Sequence, residues 1–119
     1  MNFYLSLAIL AIVAFIQNMA FTAVSRSRNA GDPNYHRKCA WFSNGIWLTC
    51  YIFIFKNIWP ILTTDLTFTF DSLGKLALLM IVYVGATTEG SVLMMKRLLK
   101  KETGARRVGA RAEEKAKKR

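Results

Sequence analysis

The chain has 119 residues, of which 53% are apolar or aromatic and 20% charged, with a net charge of +10. Its charges are segregated: residues 1–25 carry none, residues 39–59 carry only Lys56, and residues 96–119 carry eleven Lys/Arg against three Glu. That division excludes an ordinary soluble globule, whose charges are spread over its surface, and the long aromatic blocks exclude a disordered chain.

A helix needs about 20 mostly apolar residues to cross a bilayer. The first block runs from about residue 3 to 24, with Gln17 and Asn18 as its most polar members. It has no basic n-region and no A-x-A site after it, so it reads as a retained anchor rather than a cleaved signal. The loop that follows, SRSRNAGDPNYHRK, holds Arg26, Arg28, Arg37 and Lys38 against Asp32, and its NAGDP run is turn chemistry. The second block covers about residues 39–59 and is expected to stop at Pro60. Lys56, one turn before that proline, can snorkel to headgroups. Trp41, Trp47, Tyr51 and Trp59 fit the aromatic enrichment at membrane boundaries. An outer connection follows, with Asp65 and Asp71, and the alternating segment TTDLTFTF (residues 63–70) reads as a short extended stretch. The third block covers about residues 73–95, with Lys75 one turn from Asp71 and placed to meet it at i, i+4.

The expected fold is therefore an all-α integral membrane protein: a three-span membrane domain over residues 1–95 and a basic cytoplasmic tail over residues 96–119. Three spans put the basic first loop and the basic tail on one side. Because Lys/Arg in short loops stay cytoplasmic, the N-terminus is expected outside and the C-terminus inside the plasma membrane. The cations beside the spans (Arg26, Arg28, Arg37, Lys38, Lys96, Arg97, Lys100 and Lys101) are expected to meet anionic lipid headgroups. The tail, KRLLKKETGARRVGARAEEKAKKR, is interrupted by Gly104 and Gly109 and reads as a solvated anchor. No aromatic lies among its charges to stack a base, so nucleic acid is not an expected partner.

Polar residues fall at similar depth in the inner halves of the three blocks. Gln17, Asn18 and Thr22 come from the first, Ser43, Asn44 and Thr49 from the second, and Thr87, Thr88, Glu89 and Ser91 from the third. Buried amides and hydroxyls in lipid seek partners on neighbouring helices, so these residues form a candidate polar seam. The seam serves as glue within one molecule or as the lining of an oligomeric pore. Glu89 is an ionisable group inside a span, expected to pair with Arg26, Arg28 or His36 or to act in gating. His36 and Cys39 are too few for a zinc site, and no orienting acid makes them a catalytic pair. Cys39 and Cys50 lie about 16 Å apart along one helix, too far for a disulfide. The chain has no phosphate loop and no dinucleotide or H-E-x-x-H pattern, so neither enzymatic activity nor a cofactor is expected.

Three short spans, an N-out/C-in arrangement and a strongly basic tail resemble the three-span holins of tailed bacteriophages. The phrases Ser25-Arg26-Ser27-Arg28-Asn29, Tyr35-His36, Ser43-Asn44-Gly45-x-Trp47 and Gly90-Ser91-Val92-Leu93-Met94-Met95 are similar to small phage membrane proteins. The resemblance implies a self-assembling pore former of the bacterial inner membrane. The second span departs from it, being rich in Trp, Phe and Tyr where holin spans favour small residues. Two other functions fit the same pattern. One is an accessory membrane subunit that binds a larger complex through those aromatics, and the other is a small proton-coupled transporter using Glu89.

Overall fold

The structure, a computed structural model, describes residues 2–63 and 69–118, apart from the side chains of Ile61, Leu62 and Arg111. Helix α1 spans Phe3–Arg28, α2 Pro33–Phe53, a π-helical segment Ile54–Ile58, α3 Trp59–Thr63, α4 Phe70–Lys101 and α5 Ala110–Lys117. A 3₁₀ turn at Gly104–Arg106 joins α4 to α5, and the described residues contain no strand.

The helix starts are written in side chains. Asn2 accepts a bond from the Tyr4 amide at 3.0 Å, which satisfies one of the unpaired donors at the start of α1. Asp32 does the same for α2, accepting from the amides of Asn34 and Tyr35 at 2.9 and 3.1 Å, with Pro33 in the first helical position. The NAGDP run is thus a turn, with Asn29 ending one helix and Asp32 starting the next. Thr69 and Ser72 cap α4 reciprocally, and Lys75 reaches Asp71 at 2.5 Å. Of the segment expected to be extended, residues 64–68 lie outside the described residues; Thr63 is helical and Thr69 is an extended cap.

Pro60 does not stop the second block, which corrects the expected boundary. The helix continues through it to Thr63 by widening just upstream, where the Trp59 amide bonds the Ile54 carbonyl five residues back. Proline has no N–H and its ring crowds the carbonyl four residues earlier; a π turn relieves that crowding without ending the helix. Residues 33–63 form one rod, long enough at about 46 Å to cross a bilayer.

Helix α1 is the centre. It packs on α4 and on α2, while α2 and α4 touch each other sparingly. Leu7, Leu10, Ala14, Ala20 and Ala23 are among its buried side chains. The ends of α1 and α4 lie together, so these helices run parallel, with α2 antiparallel to both. The whole measures 63 × 22 × 21 Å. Among the described residues two helices are long and apolar enough to cross a membrane, α1 at mean hydropathy 2.1 and α4 at 1.7. In their most apolar windows 39% of α1 is buried but only 6% of α4, which leaves α4 apolar and largely uncovered. The third expected span is less concentrated: its apolar run begins six residues into α2 and continues through the π segment.

Helix α4 also extends past the expected membrane boundary. Residues 96–101 continue it as helix, and the chain turns back only at Glu102.

Candidate functional site

The seam residues divide into three groups. Some meet across helices: the hydroxyls of Thr22 and Ser91 are 2.8 Å apart, and the Cys50 thiol donates to Gln17 Oε1 at 3.3 Å. Next to Ser91, Gly90 is buried where α4 crosses α1. A Cβ there would stand 2.2 Å from the Phe15 carbonyl oxygen, so only glycine permits this approach. Others serve their own helix. Thr87 donates to the carbonyls of Tyr83 or Val84, and Thr49 to that of Gly45. Ser43 is buried and Asn18 half-buried. Asn44, Thr88 and Glu89 point outward and are exposed.

Glu89 does not meet the cations expected for it. Arg26 is committed to Glu102, with Nε at 3.0 and 3.1 Å and Nη2 at 2.6 Å from its carboxylate oxygens. The His36 ring Nδ1 lies 3.0 Å from the Ser27 hydroxyl, and Arg28 is exposed. Sequence spacing misleads here because α4 turns its Gly90 side toward α1, so Glu89, one residue earlier, faces away.

The Arg26–Glu102 pair anchors a second cluster, at the basic end. Glu102 is nearly buried, with 4% of its side chain exposed, and the guanidinium forks around it in the bidentate geometry that arginine favours. Arg26, expected to meet headgroups, is instead engaged by Glu102. Arg28, Arg37, Lys38, Lys96, Arg97, Lys100 and Lys101 are exposed around the same end. From Glu102 the chain folds back onto the first loop rather than extending away. The Gly31 amide donates to the Ala105 carbonyl at 2.7 Å and the Gly109 amide to the Asn29 carbonyl at 3.0 Å. Gly104 and Gly109 adopt φ of 56° and 88°, left-handed values that only glycine takes without strain, and these two residues turn the chain. Arg106 then lies 5.4 Å above the Tyr35 ring, with Nε 3.8 Å from Asp32. Burial is the main reason the Tyr35 phenol is pushed up to about 12, with the nearby Cys39 and Glu102 adding to it. Farther out, Arg107 pairs with Glu113, and Lys118 with Glu114 at 2.6 Å, which lowers the Glu114 carboxyl below its ordinary range.

Glu102 and Arg106 were hidden in the sequence among charges of the same kinds. The two glycines were the readable signal, since a solvated helical anchor has no use for them.

Two of the exposed surfaces have a regular pattern. On α4 the residues Ile81, Gly85, Thr88, Val92, Met95 and Leu99 are all exposed and recur at alternating steps of four and three. That spacing is the seam pattern of a helix packed on another helix. Nothing lies within 4 Å of where a Gly85 Cβ would be. On α2 and its continuation, Trp47, Tyr51, Phe55 and Trp59 form an exposed ladder with ring centroids 4.5, 5.3 and 6.3 Å apart. Among the described residues no three His, Cys, Asp or Glu side chains are grouped to hold a metal ion.

No known protein family, curated protein or solved structure matches this chain.

Proposed function

We propose that the chain is a three-span protein of the bacterial inner membrane, N-terminus out and C-terminus in, that assembles laterally through α4 as a holin-like pore former. The spans are the apolar stretches of α1, of the rod (about residues 39–59) and of α4 (about residues 73–95); the clustering of basic residues at one end supports that orientation. The observation that carries the assembly is the uncovered face of α4. Glycine in an exposed helix costs about 1 kcal/mol relative to alanine, and a carboxylate facing hydrocarbon costs about 3 kcal/mol or more. Gly85 carries the first penalty and Glu89 the second on one side of a membrane helix; a second copy packing there offsets the first through close backbone contact and gives the carboxylate polar surroundings. Gly85 lets two backbones approach closely, and Glu89 beside that contact supplies polar lining.

The test is induced expression with a potential-sensitive dye. Abrupt depolarisation at a threshold level is expected. Gly85→Leu and Glu89→Gln delay or abolish it and reduce cross-linked oligomers, whereas Glu113→Gln behaves as wild type. Growth without depolarisation overturns the pore, and proton-coupled solute flux lost in Glu89→Ala replaces it with a transporter.

A second reading rests on the aromatic ladder. An accessory subunit would bind a larger membrane complex through Trp47, Tyr51, Phe55 and Trp59, amphipathic anchors of the kind that dominate interfaces. A copurifying membrane protein, lost on Trp47→Ala, would favour it over the pore.

A further inference from the structure

Because α2 and α4 both lean on α1 but barely touch each other, an open cleft of about 440 Å³ separates them at the basic end. Its inner walls are apolar, formed by Phe42 of α2 and by Met94 and Leu98 of α4. Its rim is polar and cationic, formed by Tyr35 and Lys38 and roofed by Arg106 from the folded-back tail. The single acid on the rim is Asp32, whose Oδ1 is occupied in capping α2 and whose Oδ2 holds Arg106 only at 3.8 Å. Arg106 keeps 59% of its side chain exposed while resting against the Tyr35 ring. It is therefore positioned but not consumed.

We infer that this cleft is a binding site for one anionic phospholipid, whose phosphate lies between Arg106 and Lys38 and whose acyl chain runs down between Phe42, Met94 and Leu98. The inference rests on the membrane reading above and is independent of assembly through α4. A basic pocket between two membrane helices, opening at the headgroup level, matches this ligand in both its parts. A soluble anion would use only the rim, and a neutral lipid only the walls. The guanidinium offers a fork of donors to phosphate oxygens, and Lys38 adds a second charge from one turn below Tyr35. The folded-back tail would thus complete a lipid site, with Arg106 carried into place by the Gly31–Ala105 and Asn29–Gly109 backbone bonds.

The test is native mass spectrometry of the full chain in detergent, titrated with phosphatidylglycerol, phosphatidylcholine or inorganic phosphate. One phosphatidylglycerol is expected to be retained about tenfold more tightly than phosphatidylcholine, and phosphate alone should neither bind measurably nor compete. The double variant Lys38→Gln/Arg106→Gln should lose that preference, while Lys115→Gln/Lys117→Gln keeps it. Met94→Trp, which fills the apolar wall, should weaken retention with the rim charges intact. Equal retention of the two lipids, an unchanged preference in the Lys38/Arg106 variant, or competition by phosphate would overturn the site. Recovery of the chain in water without detergent would instead remove the membrane reading itself.

Discussion

Arg26 and Glu102 stand 76 positions apart in sequence, yet they form a bidentate ion pair that closes the ends of α1 and α4 together. With 19% and 4% of their side chains exposed, both charges are largely withdrawn from solvent. Each needs the other, since a buried charge left without its partner is far more expensive than an exposed one.

Removing one partner should therefore be severe. Glu102→Gln is expected to lower stability by about 3 kcal/mol, read as unfolding in detergent micelles. Glu114→Gln removes a fully exposed partner of Lys118 and should leave stability essentially unchanged. Equal losses in the two variants would mean that burial of Glu102 contributes nothing.

Two of the three glycines of α4, Gly85 and Gly90, should respond in opposite directions. Gly90→Ala places a methyl against the Phe15 carbonyl and must separate α1 from α4, costing about 1–3 kcal/mol. Gly85→Ala meets open space and should stabilise the monomer by about 1 kcal/mol through helix propensity. Thermal unfolding of the monomeric detergent-solubilised protein separates the two signs.

The hydroxyl pair Thr22–Ser91 crosses the α1–α4 interface at 2.8 Å. A double-mutant cycle with Thr22→Val and Ser91→Ala should give a coupling of about 0.6 kcal/mol, the usual size of such bonds between membrane helices. A coupling near zero would show that the surrounding packing carries that contact.

Tyr35 supplies a pH signature for the folded basic end. Burial raises its phenol from 10.0 to about 12, so the folded state holds its proton more tightly than the unfolded chain does. Stability linked to this group is intact below pH 10 and is lost as pH rises from there through 12. Ultraviolet titration should show a late-ionising component that shrinks by one tyrosine in Tyr35→Phe. In Arg106→Gln its titration should move higher still, because that cation is the neighbour favouring the phenolate.

The thiols should differ in access. Cys50 is buried beside Gln17, whereas Cys39 is half-buried at the edge of the basic end. A maleimide applied to the folded protein should label Cys39 first and reach Cys50 only after denaturation. Rapid labelling of both would contradict the packing of α2 on α1.

Local rules written in adjacent residues made much of this protein readable without coordinates. A long uncharged run points to a helix or a buried strand, the NAGDP run to a turn, and Lys75 four residues after Asp71 meets it on any helix. The all-helical class, the apolar blocks of α1 and α4 and the turn between α1 and α2 follow from such short-range chemistry. What tertiary structure alone decided depends on rotation and long-range closure. Whether Glu89 or Gly90 faces α1 turns on 100° of helix phase, which the close approach to the Phe15 carbonyl fixes and composition does not encode. Pro60 was read as a stop because the sequence does not reveal that a π turn absorbs it. Glu102 among three tail glutamates, and Arg106 among eleven tail cations, look alike until the chain reverses at Gly104 and Gly109 and sets these two against Arg26 and Asp32. Charge counts give a segment's sign; packing selects which charges leave water, because desolvation is tolerable only where a partner from a distant part of the chain is already in place.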